Sequence, residues 1–105
     1  MMSGVKILMN WDIKPGRDQE YFEFVIREWV PRSTKLGLEM TGAWYTVYSR
    51  DTEAPQIMAE GIADNLASMR TILNSEDWKS LHEQLLEYVV NYSQKVVRVT
   101  GGFQI

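Results

Sequence analysis

The chain has 105 residues, 45% of them hydrophobic and 24% charged, with a net charge of −3 and no cysteine. That length holds one hydrophobic core and not two, the apolar share excludes a disordered tail, and the missing thiols exclude disulfides, cysteine zinc ligands and a thiol nucleophile. The basic residues are interspersed with acidic ones, so no cation cluster is present to release the counterions of a phosphate backbone, which argues against nucleic acid and against an anionic membrane surface.

Val5, Ile7, Met9, Trp11 and Ile13 alternate with Lys6, Leu8, Asn10 and Asp12, the period of a strand with one face on a core. Lys14-Pro15-Gly16 ends it, because proline cannot extend a ladder and glycine accepts turn dihedrals. Asp18 then reads as the cap of a helix running to Val30, with Phe22, Val25, Ile26 and Trp29 as its buried face and Tyr21, Phe24 and Val30 broadening it. Pro31 is expected to stop or kink it, and Gly37 to close the connection. Leu38 to Arg50 is β-prone, with Leu38, Met40, Trp44 and Tyr48 placed on one face and Ala43, Tyr45 and Val47 on the other. The polar break 51–55 makes a hairpin with a third strand, Gln56 to Ala63.

Asp64 is expected to cap a short helix over 65–73. Asn74-Ser75-Glu76-Asp77 starts a longer one, with two acids at the positive end of the helix dipole. Its apolar stripe, Trp78, Leu81, His82, Leu85, Val89 and Tyr92, extends the predicted helix to about Tyr92. The last strand is expected over Lys95 to Ile105, with a bulge at Gly101-Gly102. The order is β-α-β-β-α-β, an α+β domain of the ferredoxin-like type with a four-stranded antiparallel sheet, occupying 1–105 as a single unit. The opening residues lack the cationic start and apolar run of a signal peptide, and no window reaches ~18 consecutive apolar residues. A cytoplasmic protein is expected, in which the Asn91-Tyr92-Ser93 sequon is fortuitous.

The second and third strands are apolar on both faces, Met58 and Ile62 standing opposite Ile57 and Ala59. Helices on one side leave the second face uncovered, and an apolar patch of that kind marks an interface. The simplest closure is a homodimer, sheet against sheet. In layout, in length and in the opening strand that ends at Lys14-Pro15-Gly16, the chain resembles the dimeric α/β-barrel superfamily. That group includes antibiotic-biosynthesis and haem-degrading monooxygenases and many members of unassigned activity. The resemblance implies two sheets closing into a barrel, and a cleft in each subunit between sheet and helices.

His82 is the one histidine, on the apolar stripe of its helix. The residues alone allow a core histidine or a proton carrier or axial ligand. Ser75 to His82 resembles the helix that presents the haem-binding histidine in haem-degrading monooxygenases, and Asn10 stands near the first-strand asparagine those enzymes aim into the cleft. The resemblance thus implies His82 and Asn10 as catalytic or cofactor-holding residues and haem as a candidate cofactor. It departs from that pattern at Met69-Arg70-Thr71-Ile72-Leu73, where a tryptophan is expected, which speaks against distorted-haem chemistry. Trp11, Trp44 and Trp78 are the candidate walls for a flat apolar ligand, while Glu60 and Arg98 read as members of cross-strand or cross-subunit ion pairs. No metal-ligand spacing, nucleophile elbow or phosphate loop occurs. Three functions follow: a homodimeric small-ligand-binding protein of unassigned activity, a monooxygenase-like enzyme using His82 and Asn10, and a protein-interaction module.

Overall fold

The computed structural model describes residues 4–98. β1, Val5–Ile13, has the predicted bounds and the predicted alternation, with Val5, Ile7, Met9, Trp11 and Ile13 buried. It lies in the middle of an antiparallel sheet of order β2-β3-β1-β4. β2 spans Glu39–Tyr45 and β3 Ile57–Ala63, and β4 is Val89–Arg98. The helices cover one face only, which gives a slab of 43 × 35 × 18 Å with a bare sheet on its back. This is the ferredoxin-like α+β arrangement that the order of elements implied.

The first helical rod differs from expectation in two ways. Arg17 precedes it without a side-chain cap, and Asp18 and Glu20 sit inside its first turn, where their charge meets the helix dipole. The rod does not stop at Pro31: α1, Asp18–Phe24, continues through a π-helical segment, Val25–Trp29, into α2, Val30–Lys35. The Val30 N–H donates to the Val25 carbonyl five residues back. A turn widened in this way leaves room for the proline ring, whose usual clash is with the carbonyl four residues earlier. The extra residue also rotates the buried face. Tyr21, Phe24, Trp29 and Ser33 point inward, whereas Phe22 and Ile26, assigned to the core from α-helical spacing, are exposed. Gly37, at a φ of +98°, ends the rod as expected, with Leu38 N–H donating to Ser33 O and Gly37 N–H to Thr34 O.

β2 is shorter than predicted, and its register shifts between Met40 and Gly42. That irregularity puts Met40 on the helix side, against Gly61, and Trp44 on the back, opposite Met58. The single face predicted for Met40 and Trp44 is therefore split, since one extra residue inverts every later side chain. α3, Leu66–Leu73, is capped by Asn65 rather than Asp64, the Asn65 Oδ1 accepting from Ser68 N–H at 2.8 Å. α4, Glu76–Leu85, starts at Ser75 as predicted.

The largest correction is at the end of α4. Leu81 and Leu85 complete its buried stripe, and by Val89 the chain is already pairing with Ile13 in β4. Val89 and Tyr92 match helical spacing from Leu85, yet both are strand residues, and the β-branched Val89-Val90 pair suits a pleated surface better than a helix. The predicted Gly101-Gly102 bulge lies outside the described residues. A bulge occurs instead where the β1–β4 register shifts, with Asn91 at a φ of +57°.

Gly61 packs where Ile7, Leu38 and Met40 converge, and a Cβ there would lie 3.1 Å from Met40 Sδ, 3.2 Å from Leu38 Cδ1 and 3.3 Å from Ile7 Cγ2. Gly61→Ala should lower stability by about 1–3 kcal/mol through overpacking, read as a reduced urea midpoint with an unchanged slope.

Candidate functional site

The helix-side face of the sheet is organised by Trp11. Its Nε1–H donates to the Tyr21 hydroxyl at 2.9 Å, which ties β1 to α1. The Trp29 ring meets it edge-on at 5.6 Å, and Tyr92 stacks on it at 5.8 Å with the planes 8° apart. Trp29 in turn packs on Trp78 at 6.3 Å. Between this aromatic group and β2 lies a cavity of about 270 Å³, walled by Trp11, Tyr21, Val25, Trp29, Met40 and Ala43. Three elements make it. β1 supplies the indole, the β2 irregularity brings Met40 to the helix side, and the π-helical segment carries Val25 and Trp29 to the wall. π-helical turns are often found at functional sites.

Burial is the main reason that the Tyr21 phenol is pushed up to about 12; the Trp11 hydrogen bond works in the opposite direction, and nearby Tyr45 adds to the rise. Tyr92 is raised as well, by burial. Both phenols therefore stay protonated throughout the physiological range. Two polar atoms near this cluster are sealed from solvent without a protein partner, Trp29 Nε1 and His82 Nδ1.

The structure separates the residues that the sequence grouped. Trp11 lines the cavity. Trp78 is buried behind it against Trp29, and Trp44 stands on the back of the sheet, 55% exposed. His82 is half-buried on α4, its ring 4.5 Å from Tyr92 and 6.4 Å from Trp78, and it does not line the cavity. Asn10 points to the back, where its Oδ1 accepts from Ser93 Oγ at 2.7 Å. His82 and Asn10 thus lie on opposite faces of one sheet and cannot grip one molecule within a subunit. The alternation of β1 decides this: Trp11 points inward, so Asn10 points out. A haem held between these two residues does not fit the arrangement.

The back of the sheet carries the cross-strand ion pair expected for Glu60. Lys6 Nζ lies 3.0 Å from Glu60 Oε1, and Thr41 Oγ1 donates to Glu60 Oε2 at 2.7 Å. The Thr41 hydrogen bond, and then Lys6, hold the Glu60 carboxyl below the usual carboxylate range. Leu8, Trp44 and Met58 line a shallow groove beside this pair, together with Asn10, Ser93 and Lys95. Among the described residues no three His, Asp or Glu side chains converge as metal ligands, and no helix is long and apolar enough to cross a membrane.

Tyr21 and Tyr92 are the site residues that the sequence reading missed. Tyr21 was legible only as a broadening of the helix face, and Tyr92 was assigned to the wrong element. The signal for Tyr21 was its place one turn before Val25 and two before Trp29, both already on the predicted buried face.

No protein-family model matches the chain, and comparison with curated proteins finds no match. Solved structures do match. An EthD (ethyl tert-butyl ether) family protein from Bacillus halodurans superposes with a TM-score of 0.71 at 18% identity, over 92% of this chain and 99% of that one. A dimeric ferredoxin-like protein of unknown function from Thermobifida fusca gives 0.64 at 10% identity, over 94% and 93%. A candidate antibiotic biosynthesis monooxygenase from Bacteroides thetaiotaomicron gives 0.60 at 20% identity, over 93% and 89%. NIPSNAP proteins are further neighbours. At these identities the likeness is one of fold, the ferredoxin-like α+β arrangement that the order of elements implied.

Desolvation holds the His82 imidazole below its ordinary pKa, with nearby Glu83 partly opposing. The unfolded chain, whose histidine titrates near ~6.5, therefore binds more protons than the folded one as pH falls through that value, and stability is lost in the same direction. Between pH 7.5 and pH 5 the wild type should lose unfolding free energy relative to His82→Asn, measured by urea denaturation of both proteins at each pH.

Proposed function

We propose that the protein is a homodimer, closed through the backs of its two sheets, that binds a small apolar or aromatic molecule in the cavity between sheet and helices of each subunit. The observation that carries this reading is that the sheet is apolar on both faces while helices cover only one. The covered face holds the cavity around Trp11, and the bare face exposes Trp44 and Met58 beside Leu8. Uncovered apolar area of this kind favours a partner.

Strand direction supports a second copy as that partner. β2 and β4 are the two open edges of the sheet and run antiparallel to each other. Two copies related by an axis along the strands can therefore join β4 to β2 at both seams with every neighbour antiparallel, which removes the open edges. The dimeric state named for the Thermobifida fusca neighbour agrees with this closure. A cysteine-free chain of this composition suits the cytoplasm, which we propose as its compartment.

A second reading is a monooxygenase-like enzyme acting on a molecule in the same cavity, favoured by the Bacteroides thetaiotaomicron neighbour. On this reading Tyr21 and Trp11 orient the substrate. His82 acts at most indirectly, through its contact with Tyr92. Oxygen uptake with a bound aromatic substrate would favour it over binding alone.

Sedimentation velocity at micromolar concentration should give a dimer, and Trp44→Arg combined with Met58→Arg should give a folded monomer; a wild-type monomer would refute the pairing. The neutral dye Nile red should brighten on binding, and Val25→Trp, which fills the cavity, should weaken that binding by roughly tenfold or more, the scale of one lost apolar contact region, without altering the sedimentation of the dimer.

A further inference from the structure

We infer that the cavity selects an uncharged, flat molecule that presents an acceptor oxygen, such as an aryl ketone, to the Tyr21 hydroxyl. This rests on the ligand-binding reading above and adds the chemical class of the ligand.

The hydrogen-bonding groups on the cavity wall point to this class. Among the described residues four wall residues carry polar side-chain atoms: Trp11, Tyr21, Trp29 and Thr41. The Trp11 N–H is engaged, donating to the Tyr21 oxygen at 2.9 Å. Accepting that bond orients the phenol: its own proton points away from Trp11 and meets no acceptor among the described residues. The Trp29 N–H has no protein acceptor but is sealed from solvent, out of reach of a ligand. The fourth polar wall residue, Thr41, directs its hydroxyl to Glu60 on the other face. The side-chain group left to a ligand is therefore the Tyr21 hydroxyl, whose proton is unmatched, and a buried donor left unmatched is costly. A carbonyl oxygen satisfies it without bringing a donor of its own, whereas a ligand hydroxyl accepts from it but adds a second donor to be matched, and an ammonium cannot accept at all.

Charge narrows the class further. Among the described residues no Lys, Arg or His lines the cavity, so a carboxylate or phosphate finds no counter-charge there, and no Asp or Glu lines it to receive a cation. The burial that raises the Tyr21 phenol to about 12 disfavours a ligand anion in the same way and keeps the phenol a donor. The walls are otherwise aromatic and aliphatic, which suits fused or conjugated rings.

The test is calorimetric titration of the full chain with a matched pair, fluorene and fluorenone, which differ by one carbonyl. Fluorenone should bind more tightly than fluorene by roughly three- to tenfold, the worth of one net hydrogen bond. Tyr21→Phe should abolish that gap by weakening fluorenone alone and leaving fluorene unchanged. Circular dichroism checks that the variant is folded, and should it not be, the wild-type gap between fluorenone and fluorene still decides. Equal affinity for the two compounds in the wild type, a gap that survives Tyr21→Phe, or preferential binding of fluorene-9-carboxylate or tetramethylammonium would overturn the inference while leaving a ligand site in place. Failure of every compound to bind would instead remove the ligand-binding reading on which it stands.

Discussion

The bond between the Trp11 indole and the Tyr21 hydroxyl is the contact on which the rest of the helix side depends. It fastens the first helical rod to the central strand, and the stack of Tyr92 on the same indole fastens the last strand to that point. Trp29 and then Trp78 continue the packing outward, so the first rod and α4 meet through aromatic rings. Large flat rings meeting edge-on leave gaps that aliphatic chains would fill, and the cavity beside Trp11 is such a gap. The same geometry that anchors the helices therefore makes the site.

Irregular backbone decides which residues reach that site. The inward face of β1 and the start of α4 at Ser75 were readable from alternation and capping chemistry, since both are local rules. Where one residue is added to a regular element, local rules fail. The β2 irregularity separates Met40 from Trp44, and the π-helical turn exchanges Phe22 and Ile26 for Tyr21 and Phe24. The boundary between α4 and β4 failed for another reason: Leu85, Val89 and Tyr92 satisfy helical spacing as well as strand pairing, and only the partner strand resolves the tie. The fold was thus legible almost throughout, and the cavity wall only in part. Trp11 could be chosen from the sequence, but Tyr21 could not be preferred to Phe22.

The sheet divides two kinds of polarity between its faces. On the back, Lys6, Glu60 and Thr41 form a closed set in which charge meets charge and donor meets acceptor. On the helix side, the buried polar atoms are few and three of them among the described residues, Trp29 Nε1, Ser33 Oγ and His82 Nδ1, have no protein partner. A satisfied set fixes structure, whereas unsatisfied donors leave specificity to be supplied by something else. Asn10, hydrogen-bonded to Ser93, belongs with the first kind, and His82 stands at the margin of the second.

The widened turn at Val25–Trp29 has one more consequence, for how this rod tolerates change in length. An α-helix advances about 100° per residue, at 3.6 residues per turn, so the turn works as a phase adjuster between Asp18–Phe24 and Val30–Lys35. Because it already absorbs one extra residue, losing a residue within it would return the rod to plain α-helical pitch with both halves facing as they do now. The same residues wound at plain pitch without that loss would instead swing the first half by about 100° around its axis. The phenol that now meets the central indole would then turn toward solvent, and a neighbouring phenylalanine would take its place. The chemistry of the cavity is therefore tied to the width of one helical turn as much as to the identity of any side chain in it.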